Sequence, residues 1–203
     1  MLSWNQFCSL FLNCSPEIIQ IAETIRHPEY SDEQVGKLEY ATNNDIGLIR
    51  LAEPANIRPD AVAKISPLKS KSFMKKMRAN EKSCWTLGWG YIEEPVVGYE
   101  RTDKLQKLRT NFVNETEATA RGYDTYLSEG IMGAEADYKD DRCKRGSACY
   151  GDSGGPIACR QKGDWVVTGL VSFGSVFDDC ITGVYGAVNV QLYYDWIQTN
   201  INE

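Results

Sequence analysis

Histidine is nearly missing from this chain: its 203 residues include one, His27. Histidine and cysteine at zinc-ligand spacing are missing too, so no metal site is expected and nothing in the chain asks for a cofactor. No apolar run approaches the roughly 20 residues that cross a bilayer, so no membrane partner is expected. Positive charge is in short supply, with 22 Lys and Arg against 28 Asp and Glu for a net −6, which argues against nucleic acid as a partner. A basic start followed by a long apolar core, the mark of a secretion signal, is also lacking. Met1-Leu2-Ser3-Trp4-Asn5-Gln6 carries no positive side chain, and the apolar run Phe7 to Leu12 stops at Asn13. Met1 to Ser15 reads as a poor signal or as sequence foreign to the domain, and residues 1–16 are left unassigned.

Cysteine, by contrast, is plentiful. Seven cysteines without zinc spacing point to an oxidising compartment and disulfides, hence to an extracellular, secreted protein. Cys84, Cys149, Cys159 and Cys180 lie in strand-like context, while Cys8, Cys14 and Cys143 are left over. The odd total leaves at least one free or intermolecular thiol. The length suits one medium domain or two small packed halves, and 42% hydrophobic with 25% charged residues is ordinary for a globular chain.

The hydrophobic pattern is mostly that of strands. Ile18 to Ala22 alternates and is β-branched, and Pro28 then opens a polar loop that runs to Asn44. Asp45-Ile46-Gly47-Leu48-Ile49-Arg50-Leu51 reads as a strand opening on a carboxylate. Lys69, Lys71, Lys75, Lys76 and Arg78 crowd a stretch that reads as a solvated linker. Cys84 to Gly90 is a strand with a glycine turn, and Leu105 to Arg109, Asn111 to Val113 and Trp165 to Gly174 are strand-like. Asn13 and Asn114 head two glycosylation acceptor triplets, which matter if the chain is secreted. Leu192, Tyr193, Trp196, Ile197 and Ile201 recur at helical spacing, so the chain ends in an amphipathic helix.

The most informative stretch is Cys149-Tyr150-Gly151-Asp152-Ser153-Gly154-Gly155-Pro156. Glycine reaches positive φ without steric cost, so such a run can hold a serine hydroxyl out of the scaffold with N–H groups aimed beside it. Acyl transfer needs that pairing of a nucleophile with donors for a developing oxyanion. Gly151 to Pro156 resembles the nucleophile motif of the chymotrypsin/trypsin-like serine proteases, and Cys84-Trp85-Thr86-Leu87-Gly88-Trp89-Gly90 is similar to a second string of that family.

The resemblance implies an all-β fold of two Greek-key β-barrels with a C-terminal α-helix. It covers Glu17 to Ile201, beginning part-way through the first barrel: residues 17–63 as a remnant of that barrel, 83–189 as the second barrel and 190–201 as the helix. It implies a serine endopeptidase acting on peptides and proteins, monomeric, with Ser153 as nucleophile, the Gly151 and Ser153 N–H groups as oxyanion hole, and Asp45 as the carboxylate that orients the catalytic histidine. Ser172, Phe173 and Gly174 would pair with an extended substrate as an added strand. Ser147, six positions before Ser153, would form the pocket base, with Gly174 and Gly183 as its walls. An uncharged base between small walls implies a preference for a bulky apolar residue at P1, on the acyl side of the cut bond, with Asp178 and Asp179 near the rim. The resemblance also implies the pairs Cys84–Cys159 and Cys149–Cys180.

The chain departs from the family at its front. It has neither an Ala-Ala-His-Cys segment nor an Ile-Val-Gly-Gly start, and His27 matches a surface segment before the aspartate strand. The family pattern is therefore expected to be N-terminally truncated, with exposed strand edges, an unpaired Asp152 or a rearranged loop, and no general base for Ser153. Two readings follow: a truncated member of an active endopeptidase family, inactive as written, or a non-catalytic module that binds peptide or protein.

Overall fold

The computed structural model of the chain describes residues 17–34, 40–56, 66–67, 84–94, 98–101, 104–113, 115–120, 130–137, 146–161, 164–174 and 183–201. In the N-terminal part, β1 (Ile21–Arg26), β2 (Ser31–Gln34), β3 (Tyr40–Asn43) and β4 (Gly47–Leu51) make two antiparallel ribbons, β1 with β4 and β2 with β3. A short β5 (Ser66–Pro67) precedes β6 (Cys84–Gly88), the hairpin β7 (Tyr91–Glu94) and β8 (Gly98–Arg101), and the long β9 (Gln106–Val113). After the single-turn helix α1 (Glu115–Ala120) come β10 (Ile131–Ala136), β11 (Pro156–Gln161), β12 (Asp164–Phe173) and β13 (Tyr185–Asn189). A 3-10 turn at Val190–Tyr193 leads into the terminal helix α2 (Tyr194–Ile201).

Six strands close on themselves in the order β11–β6–β9–β10–β13–β12 and back to β11, with β5 added parallel to β12. Closure is helped by small residues. Ala134, Ala136 and Ala187 are buried, and a Cβ on Gly133 would press on Val113 and Val184. The barrel interior gathers Cys84, Met132, Ile157, Cys159, Val166, Val171 and Tyr185. Cys84 and Cys159 sit directly opposite on β6 and β11 and are joined by a disulfide across 75 residues. Cys149 is also disulfide-bonded, and Cys180 lies outside the described residues.

A second core joins the front of the chain to its end. Ile46, Ile131, Val188, Val190, Tyr193 and Ile197 are buried together, with Leu48 and Trp196 against them. One face of the β1–β4 ribbon serves this core. The other leaves Ile21, Ile49 and Leu51 exposed at 58%, 61% and 41%, and Ile18 just before the ribbon is 91% exposed, so these side chains gain little from burial among the described residues.

The first strand lies later than its β-branched run suggests. Pairing with β4 places Ile25 opposite Leu48 and moves the strand to Ile21–Arg26. The expected polar loop holds the β2–β3 hairpin, and the two segments read around Thr110 are one strand whose Thr110 faces the interior. The β7–β8 hairpin and α1 have too few apolar positions to show a period.

Candidate active site

The turn at Gly151 to Gly155 is built from conformations that only glycine takes without strain. Gly151 has φ +92° and Gly154 φ +78°. The turn is tied to β12 by Gly154 N–H donating to the Val171 carbonyl at 2.7 Å and Val171 N–H donating to the Gly155 carbonyl at 2.9 Å. The Ser153 side chain is exposed. Among the described residues, neither the Gly151 nor the Ser153 N–H has a protein acceptor. The turn thus leaves an exposed serine and two N–H groups with no acceptor among the described residues.

Asp152 corrects an expectation. Its carboxylate is not left unpaired: Oδ1 accepts the Gly90 N–H at 2.8 Å and Oδ2 accepts the Cys149 N–H at 3.0 Å. Amide dipoles can satisfy a half-buried carboxylate in place of a cation, because hydrogen bonds to the charged form favour it.

Asp45 comes to this region through Ser172. The β12–β13 register shifts between Val171 and Phe173, a bulge at Ser172 that re-aims its side chain. The Ser172 hydroxyl donates to Asp45 Oδ2 at 2.6 Å. Val171, adjacent in the chain, is the residue bonded to the Gly151–Gly155 turn, so Asp45 and Ser153 flank the same end of β12. Behind Asp45, Asn44 takes a left-handed φ of +50°, which asparagine tolerates better than most residues. It is fixed there by its Nδ2 donating to the Glu29 carbonyl and by the Tyr193 hydroxyl donating to its Oδ1, both at 2.9 Å.

His27 is held elsewhere. Its ring packs edge-on to Tyr193 at 5.4 Å and tilted to Trp196 at 5.0 Å, and its Nδ1 accepts the Glu29 N–H at 3.2 Å. The only imidazole of the chain therefore fastens the ribbon to the terminal helix.

Along the expected peptide edge, Phe173 lies over Gly186, where a Cβ would stand 2.5 Å from ring Cε1. Gly174 is exposed with open space around it, and Gly183 takes φ +143°. Ser147 is half-buried just before the Gly151–Gly155 turn, while residues 175–182, including Asp178 and Asp179, lie outside the described residues. Among the described residues no group of His, Cys, Asp and Glu could hold a metal ion, and no helix is long and apolar enough to cross a membrane.

Sequence reasoning missed four contributors: Asn44 and Tyr193 behind Asp45, Gly90 against Asp152, and Gly186 under Phe173. Each acts through a contact far away in sequence, and only the left-handed tendency of an Asn-Asp pair hinted at one of them.

A closed antiparallel barrel, a Gly-Asp-Ser-Gly-Gly turn and a half-buried Ser–Asp bond are the features of a serine-protease-type domain. The chain belongs to the chymotrypsin/trypsin-like serine protease family, since the family model described as Trypsin matches residues 13–197. Vitamin K-dependent protein C of Oryctolagus cuniculus is 32% identical over 198 residues, covering 91% of this chain and 38% of that protein. The same protein from Equus caballus is 33% identical over 158 residues, covering 77% of this chain and 89% of that sequence. The chain thus spans well under half the length of the rabbit relative. A solved structure described as that of GrC superposes with TM-score 0.66 at 21% identity, over 92% of this chain and 70% of the other, which speaks to the fold. Substrates of the family are peptides and proteins.

Proposed function

We propose that this extracellular domain carries the peptide-binding half of a serine endopeptidase site, with Ser153 as nucleophile, and that the polypeptide binds substrate without hydrolysing it appreciably. The observation that carries this reading is the Ser172–Asp45 hydrogen bond beside the nucleophile turn while His27 is packed against Tyr193 and Trp196. Attack by Ser153 Oγ on a carbonyl must release the hydroxyl proton to a base as the new C–O bond forms. Asp45 is poised to orient such a base, but the imidazole that would take the proton is elsewhere. Removing the histidine from a serine-protease triad costs about 10⁶-fold in turnover. The two open N–H groups and the peptide edge do not depend on that base, so binding persists.

Ser147 at the pocket base carries no charge, and Gly174 and Gly183 take up little space at its walls, which supports a bulky apolar P1 residue. Calorimetric titration with peptides that differ at the C-terminal residue tests this. A peptide ending in Phe is expected to bind about tenfold or more tighter than one ending in Arg or Asp, the worth of one buried aromatic side chain. Tighter binding of the Arg peptide would remove the apolar assignment. A module that only binds peptide is the alternative for the whole protein, and the engagement of His27 is what favours it.

A further inference from the structure

The packing of His27 is one link of a closed circuit that reaches Asp45. The Tyr193 hydroxyl donates to Asn44 Oδ1 and Asn44 Nδ2 donates to the Glu29 carbonyl, both at 2.9 Å. Glu29 N–H donates to His27 Nδ1 at 3.2 Å, and the imidazole returns to Tyr193 through its edge-on contact at 5.4 Å. A cross-tie runs from His27 N–H to the Ile46 carbonyl at 3.0 Å, and Ile46 N–H donates to the Asn44 carbonyl at 2.7 Å. Both chain neighbours of Asp45 are therefore held by this circuit. Asn44 needs such support, because its left-handed φ of +50° is an uncommon state that its surroundings must maintain.

One link can be cut by a proton. With Nδ1 accepting the Glu29 amide, the neutral ring carries its hydrogen on Nε2, so the proton that makes imidazolium goes to Nδ1. A protonated Nδ1 donates and no longer accepts. The imidazolium keeps its place, because aromatic rings within about 6 Å attract a cation, and Tyr193 and Trp196 stand at 5.4 and 5.0 Å. It is the Glu29 amide that must turn away, and the same residue's carbonyl holds Asn44. In its own segment His27 is flanked by Arg26, which lies over the Tyr30 ring at 5.3 Å, and by Glu29. The terminal helix brings Tyr193, Tyr194 and Asp195, and Asp45 stands beyond Asn44. Among the described residues none of these carboxylates pairs with the imidazole, so no ion pair replaces the lost hydrogen bond. We propose that His27 is a pH-operated latch on Asp45: the neutral ring holds Glu29 and through it Asn44, and protonation releases them and shifts the Asp45–Ser172 pair at the peptide edge.

The consequence for binding rests on the peptide-binding reading, and the test separates the two. With a single histidine in the chain, one imidazole titrates. Proton–nitrogen correlation spectra of the isotope-labelled parent are followed from about pH 8 to about pH 5, the range in which histidine ordinarily titrates. The Glu29 amide, the Asn44 side-chain amide and the Ser172 amide are expected to move together with the imidazole signals. In His27→Asn, whose side-chain oxygen takes the place of Nδ1 without titrating, they are expected to stay near the parent's high-pH positions throughout. An N-acetylated peptide ending in Phe is then titrated by calorimetry into both chains. The parent is expected to bind it about fivefold more weakly at the acid end, the worth of one neutral hydrogen bond, and His27→Asn equally at both ends. A Ser172 amide that ignores the imidazole, a measurable parent affinity that does not change with pH, or a His27→Asn chain that weakens on acidification as the parent does overturns the proposal. A parent whose amides follow the imidazole but that binds no peptide at either end upholds the latch and removes the peptide-binding reading instead.

Discussion

Among the described residues Tyr185 is the largest fully buried side chain, and its hydroxyl lies 2.6 Å from Thr86 Oγ1 and 3.3 Å from Thr110 Oγ1. Burial pushes its phenol from an ordinary 10.0 up to about 12, assisted by the charges of Asp152 and Glu135 and opposed by the hydrogen bonds from the two threonines. The folded chain therefore holds this proton more tightly than the unfolded chain does. The resulting stabilisation is complete below pH 10 and is lost as pH rises towards about 12. A two-unit shift corresponds to about 3 kcal/mol over that window. Thermal melts of Tyr185→Phe should show a distinctly shallower loss of stability there, at a cost of about 1 kcal/mol near neutrality. Thr86 and Thr110 lie 2.8 Å apart and hydrogen-bond to each other, so neither hydroxyl is expected to lose its last partner in that variant. Parallel losses in parent and variant would mean another group titrates. At this scale the sequence was legible where chemistry is local. Ser153 and its glycines could be read from one string, and Asn44-Asp45 could be read as a turn. The Tyr193 hydroxyl on Asn44, 149 residues away, could not, because nothing local to either residue specifies the other.

Among the elements, the β6–β11 pair bears most on stability. The Cys84–Cys159 bridge closes 75 residues, and constraining such a loop in the unfolded chain is worth about 4 kcal/mol. The double replacement Cys84→Ala with Cys159→Ala should lower the unfolding free energy by about that amount, read as a lower denaturant midpoint with little change in slope. An unchanged midpoint would show that barrel closure alone suffices. The β1–β4 ribbon makes a different prediction. Ile49 and Leu51 are exposed on its outer face, so Ile49→Thr with Leu51→Thr should leave the unfolding free energy within about 0.5 kcal/mol of the parent while reducing light scattering at equal concentration. A large loss of stability would mean these side chains are buried by something in the folded protein. Period-two alternation made most barrel strands visible beforehand. It misplaced β1 by a few residues because register is set by the partner strand, where Ile25 must meet Leu48.

For the molecule as a whole, the family strings near Cys84 and Ser153 carried the fold, and the closed six-strand barrel with its terminal helix agrees with them. Candidate residues could be named from the sequence, but their contacts could not. The bulge that turns Ser172 to Asp45, the amides that hold Asp152 and the packing that occupies His27 all depend on strands meeting in space. The central claim is the proposed one, that the turn carrying Ser153 is assembled while, among the described residues, the imidazole of His27 is engaged by Tyr193 and Trp196. Labelling of the cooperatively folded chain with an active-site fluorophosphonate, beside Ser153→Ala, tests it most directly. The account predicts no labelling that depends on Ser153. Labelling of the parent that Ser153→Ala abolishes would contradict it, and would require a base for Ser153 that the packing of His27 does not supply.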